Sequence, residues 1–123
     1  MIIGIGCDII EINRVEKAVK SESFKARVFT EAEIAYCESR GKQQFASFAA
    51  RFAAKEALLK ALGTGLRGGA LTELEVLNDE LGCPKMTLSG YHLELAQAKG
   101  VQKIHVTLSH SKECAMAQVL LEG

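Results

Sequence analysis

The chain has 123 residues, 48% of them apolar and 24% charged, the balance of one soluble domain with a core that needs no staples. Fifteen Lys and Arg offset fifteen Asp and Glu, so bulk electrostatic binding of nucleic acid is excluded and any polyanion must meet a local cluster. No apolar run approaches the roughly 18 residues of a membrane span. No basic leader precedes the first apolar run, and four scattered cysteines without a CxxC pair read as reduced thiols in a cytoplasmic protein.

MIIGIGC is a short β-branched run and predicts a buried strand. DIIEINRVEKAVK follows with Ile12, Val15 and Val19 at helical spacing, and Asp8 and Glu11 make a D-x-x-E start resembling a capping box. FTEAEIAYCESRG predicts a second helix, with Thr30 and Glu33 as its capping box and Gly41 as its stop. A long Ala-rich helix spans about Gln44 to Leu62. LTELEVLN gives a weak strand signal, DELGCP a turn and KMTLS a second short strand. SGYHLELAQAKG predicts a helix capped by Ser89 and stopped by Gly100. The end of the chain reads as a hairpin: Ile104, Val106 and Leu108 alternate with His105, Thr107 and Ser109, SHSKE turns, and CAMAQVLLE returns. No repeat or linker interrupts residues 1–123. The expected fold is therefore α+β, a single domain of three or four helices against a small, largely antiparallel sheet.

Four charges interrupt the apolar surface of RFAAKEALLKALGTG: Arg51, Lys55, Glu56 and Lys60. A helix apolar on every face is buried, and charge goes inside only with partners. Arg51 and Lys55, like charges four apart, either meet an anion such as a phosphate or extend to solvent. Glu56 reads either as a surface partner of Lys60, contributing about 0.3–0.5 kcal/mol, or as a functional carboxylate beside small alanines and the GTG exit. Asp8 reads either as an N-cap, contributing about 1 kcal/mol, or as a carboxylate at a strand's end able to hold a hard cation. Gly63 and Gly65 serve as turn residues or let a phosphorylated ligand approach the backbone, and no P-loop pattern accompanies them. His105 is out of phase with its apolar neighbours and predicts a solvent-facing position; His110 and Ser111 fall in the turn. No GxSxG elbow, HExxH or cysteine-rich zinc pattern is present, so a nucleophile has to come with a substrate.

Three segments taken together, GIGCDIIEINR, RFAAKEALLKALGTG and HVTLSHSKECAMAQVLLE, resemble the short 4′-phosphopantetheinyl transferases, the holo-[acyl-carrier-protein] synthase family, in order, spacing and total length. The resemblance implies the 4′-phosphopantetheinyl transferase fold and transfer of 4′-phosphopantetheine from coenzyme A to a serine of apo acyl carrier protein, with adenosine 3′,5′-bisphosphate as the other product. It also implies that Asp8 and Glu56 hold Mg²⁺, with waters and a coenzyme A phosphate completing its shell. Lys60 is implied to contact the phosphates or assist proton transfer, and Glu56, or a water it orients, to act as general base. Arg51, Gly63, Gly65 and His105 match positions around coenzyme A. Ile10 stands where larger relatives carry an extra carboxylate, and Cys7 where an aliphatic residue is expected. Carrier proteins of this family are strongly acidic, and Arg14, Lys17 and Lys20, with Lys25 and Arg27 soon after, offer a basic face for docking. The family's short members are homotrimers with active sites between subunits, which implies that Asp8 and Glu56 of one chain face Arg51 or His105 of another.

Overall fold

The computed structural model describes residues 1–123. Strand β1 (Ile2–Glu11) leads into three short helices, α1 (Ile12–Ala18), α2 (Glu22–Val28) and α3 (Glu31–Glu38), and then the long helix α4 (Gln44–Leu62). After a glycine-containing loop come β2 (Leu74–Asn78), β3 (Pro84–Leu88), α5 (Gly90–Ala98) and the hairpin β4 (Lys103–His110) and β5 (Cys114–Glu122). The expected α+β class holds. There are five α-helices rather than three or four, and two separate antiparallel sheets, β1-β5-β4 and β2-β3, rather than one.

Helix α4 has the expected boundaries and is buried nearly all round. The inner face of the three-stranded sheet covers one side of it, with Ala115, Ala117, Val119 and Leu121 of β5 all buried. The short helices cover another side, where the rings of Phe29 and Phe48 lie 4.9 Å apart, and β2 a third. What sets the height of β1 over α4 is the absence of side chains. A Cβ added at Gly6 would run into the carbonyl oxygen of Ala57, and one at Gly4 into that of Ala61. Glycines on the strand and alanines on the helix let backbone meet backbone along this seam.

Two expected caps fail for the same kind of reason. β1 continues through Asp8 to Glu11, paired with β5 as far as Cys114, so Asp8 is a strand residue and not the start of a helix. Ladder pairing along a whole strand outcompetes one local capping bond, and Glu11 precedes α1 without a side-chain cap. Ser89 likewise makes no side-chain cap; the carboxylate of Glu73 accepts the backbone N–H groups of Tyr91 and His92 instead. The Thr30–Glu33 capping box forms as expected, while α3 ends at Glu38 and Gly41 opens a 3₁₀ turn. Helix α2, unseen in the sequence, is seven residues capped by Ser21, too short to show a periodicity.

Candidate active site

Because the seam brings the two backbones together, the next inward-facing residue of β1, Asp8, lies over the last turns of α4. The ammonium of Lys60 donates to Asp8 Oδ1 and to the carbonyl of Cys7, both at 3.0 Å. Asp8 is only 18% exposed, whereas Lys60 is 57% exposed and free to turn. The expected surface pair between Glu56 and Lys60 does not form, since Lys60 reaches across to the strand. Glu56 lies one turn earlier on the same side of α4, half-buried, and no protein group donates to it. Burial pushes its pKa up first and the charge of Asp8 pushes it further, with Lys60 only partly offsetting them. The hydrogen bond to Asp8 in turn raises Lys60.

Two carboxylates of like charge, one of them unbonded, suit a hard divalent cation. Mg²⁺ characteristically takes one or two carboxylates and completes its shell with water and substrate phosphates. No group of three or more His, Cys, Asp and Glu side chains is gathered here, so such a cation would meet two carboxylates, Asp8 and Glu56, in the single chain.

The other two charges of α4 do not extend to solvent. Lys55 is fully buried against an internal anion, Glu33, at 2.8 Å, and no phosphate can reach it. Arg51, 2% exposed, stacks its guanidinium 4.4 Å from the centre of the Tyr36 ring and donates to Asn78 Oδ1 at 2.8 Å and Ser47 Oγ at 3.0 Å. Its Nε is buried without a partner. Arg51 borders a cavity of about 310 Å³ lined also by Tyr36, Arg40, Asn78, Leu108 and His110. Arg40 and His110 add cationic and hydrogen-bonding capacity to that cavity, so it is suited to an anionic group.

Of the expected site residues, Asp8, Glu56 and Lys60 come together, with Gly63 and Gly65 just beyond Lys60. Both glycines have left-handed backbone, φ +79° and +63°, with open space where a side chain would stand. Arg51 is separate, on another side of α4. His105 lies on the outer face of the sheet, exposed, with its Nε2 2.9 Å from Glu122 Oε1, and joins neither group in its own chain. His110 is the histidine beside Arg51, and its signal was available: β4 runs through it, in phase with Ile104, Val106 and Leu108. Arg14 and Lys17 are exposed on α1, and Lys20 follows its end. Lys25 is instead committed to Glu38 at 3.0 Å.

The family model of the 4′-phosphopantetheinyl transferase superfamily matches residues 4–119 of this chain, and the chain belongs to that superfamily. It is 48% identical to the holo-[acyl-carrier-protein] synthase of Clostridium tetani, a match covering 100% of this chain and 98% of that one. The holo-[acyl-carrier-protein] synthase of Neisseria meningitidis superposes with a TM-score of 0.90 at 31% identity, covering 100% of both chains. That of Bacillus anthracis, solved in complex with coenzyme A (3′,5′-ADP), superposes at 0.80 with 41% identity over 98% of this chain and 96% of that one. Within the superfamily this chain is an enzyme of the holo-[acyl-carrier-protein] synthase kind.

Proposed function

We propose that this enzyme transfers the 4′-phosphopantetheine group of coenzyme A to a serine of apo acyl carrier protein, in a Mg²⁺-dependent reaction that releases adenosine 3′,5′-bisphosphate. Its place is then in the cytoplasm, activating the carrier for fatty acid biosynthesis. The observation that carries the reading is the meeting of Asp8, Glu56 and Lys60 on the β1–α4 seam, with Glu56 unbonded and its pKa raised.

The serine Oγ attacks the pyrophosphate phosphorus that carries the pantetheine. A new P–O bond forms, the bond to the bridging oxygen breaks, and the nucleotide leaves as a phosphate. Asp8 and Glu56 would hold Mg²⁺, which supplies charge neutralisation at the phosphoryl oxygens. Lys60 leaves Asp8 for the substrate phosphates, a movement its exposure permits. Glu56, or a water it orients, accepts the serine proton. Arg51, with a buried Nε lacking any acceptor, receives a phosphate of the nucleotide end alongside Arg40 and His110. Gly63 and Gly65 leave room for the pyrophosphate beside the loop.

A homotrimer with sites between subunits is supported by the outer face of the three-stranded sheet. Ile5, Ile9 and Met116 are exposed there by 58%, 66% and 37%, a row of apolar side chains with no cover in the single chain. His105 shares that face, which would bring it to a neighbour's site. Arg14, Lys17 and Lys20 are the basic residues offered to the acidic carrier.

The test is intact-mass analysis of apo acyl carrier protein incubated with the chain, coenzyme A and Mg²⁺, with and without chelator. A phosphopantetheine increment abolished by chelator is expected. Coenzyme A consumed without a modified carrier would refute the reading in favour of a hydrolase.

A further inference from the structure

The Asp8–Glu56–Lys60 cluster leaves unexplained the one lysine of α4 that faces inward. Lys55 is 0% exposed, as is its partner Glu33, and all three ammonium protons are used. Besides Glu33 Oε1, Lys55 donates to the carbonyl of Val28 at 2.7 Å and to that of Leu71 at 3.0 Å. Glu33 in turn accepts the backbone N–H groups of Thr30 at 2.9 Å and Val76 at 2.8 Å. One ion pair thus joins α4 to the end of α2, the start of α3, strand β2 and the far end of the glycine loop.

Stability alone does not account for a pair in this place. A buried ion pair is generally no better than well-packed apolar side chains of the same volume, because both charges must be desolvated. What an apolar pair could not do is bond the two carbonyls. Leu71 closes the loop that begins at Gly63, just after Lys60, and carries Gly65. Val28 and Leu71 also both line an apolar cavity of about 490 Å³, as does Phe52, one turn before Glu56 on α4. The loop's beginning is fixed by the cap of α4, where the Gly63 N–H bonds the carbonyls of Leu59 and Lys60. Its end is fixed by Lys55, and the next residue but one, Glu73, is anchored to His92 Nδ1 at 2.7 Å.

We propose that Lys55 is a positioning residue for the transfer: its buried ammonium, through the carbonyls of Leu71 and Val28, holds the glycine loop and the end of α2 at a set height beside Glu56. The proposal rests on the transferase reading above and assigns Lys55 no contact with substrate.

The decisive variant is Lys55→Met combined with Glu33→Gln, which leaves no uncompensated buried carboxylate and keeps an acceptor for one of the two amides, those of Thr30 and Val76, that the two carboxylate oxygens serve. The expected result is a folded variant with a lowered melting temperature, since the Val28 and Leu71 carbonyls and one amide lose their partners, a KM for coenzyme A raised at least fivefold, and native-state tryptic cleavage after Arg67, within the loop, accelerated at least tenfold at a temperature well below that melting point. A merely structural role would lower the active fraction, and hence kcat, while leaving KM and loop cleavage unchanged; that pattern, or parental values throughout, overturns the proposal. If the double variant does not fold, Lys55→Gln is measured instead, with the same two readouts deciding in the same way. Cleavage at Arg67 is scored without substrate. Failure of the transferase reading would therefore show as an inactive parent enzyme, separately from failure of this proposal.

Discussion

Replacing Gly6 by alanine tests the seam on which the whole site depends. The added methyl meets the Ala57 carbonyl oxygen, a backbone atom inside a helix, so no rotamer change relieves it. Ala57 is itself 0% exposed, and α4 is held on its other sides, so β1 has to rise by about 1 Å, carrying Asp8 with it. Overpacking of a core costs about 1–3 kcal/mol, and a backbone-to-backbone clash belongs at the upper end. With an unfolding entropy of about 2.1 cal/mol/K per residue, about 3 kcal/mol in a chain of this length lowers the melting temperature by about 12 °C. A misplacement of about 1 Å at a reacting group lowers turnover by about 100-fold. Gly63→Ala is the control. It has a left-handed backbone but open space around it, so it should lose only about 1 kcal/mol, roughly 4 °C, with turnover within a few-fold of the parent. Thermal unfolding and the carrier mass assay on both variants decide the matter. Should Gly6→Ala cost no more than Gly63→Ala in either, close approach of β1 to α4 is not what places Asp8.

Three further outcomes follow from the same geometry. Burial and Asp8 raise the Glu56 pKa, so the folded state binds that proton more tightly than the unfolded one and stability falls as pH rises from the ordinary carboxylate range through the raised value. Glu56→Gln should remove this fall and, without metal, melt slightly higher at pH 7, by less than about 1 kcal/mol after solvent screening, while losing Mg²⁺-dependent transfer; a lower melting temperature at pH 7 contradicts the assignment of Glu56 as a strained, unbonded carboxylate. Arg14→Glu should raise the KM for the acidic carrier about tenfold with that for coenzyme A nearly unchanged, and equal effects on both would remove α1 from the docking face. Ile9→Asp places a charge in the exposed apolar row of β1, and sedimentation should show monomers with an unchanged circular dichroism spectrum and transfer below a tenth of the parent's; full-size assemblies would mean that this face is not an interface.

Helix α4 was legible in the sequence to its last residue because its apolar surface and its terminal glycine are local signals. The Thr30–Glu33 box was legible for the same reason, since donor and acceptor stand three residues apart. The partners of the buried charges were not. Lys55 finds Glu33 at a separation of 22 residues and Arg51 finds Asn78 at 27, and nothing in either neighbourhood announces the other. The local pattern of Asp8 argued for a helix cap, and only the pairing of β1 with β5 overrides that. Gly4 and Gly6 went unremarked because a glycine in a strand has no apolar periodicity to contribute. Their meaning lies in what faces them.

The four charges of α4 are best understood by angle. At about 100° per residue, Arg51 and Lys55 fall within 40° of one another, as do Glu56 and Lys60, while Arg51 and Glu56 are about 140° apart. One helix therefore presents its charges to two different surroundings, the β1 seam on one side and the Tyr36–His110 cavity on another. Lys55, between them in sequence, has turned inward to tie down the loop that follows. A ligand with phosphates at both ends, touching Arg51 and Glu56 of a single chain, would have to pass around a helix that is packed on nearly every side. In the proposed trimer, with two chains meeting across the outer sheet face, the cavity of one chain and the seam of another would share the ligand and that obstacle would fall away. The same exposed isoleucines that have no cover in the single chain would thus complete the site, and β1 would serve both ends, with Asp8 on its inner face and Ile5 and Ile9 on its outer one.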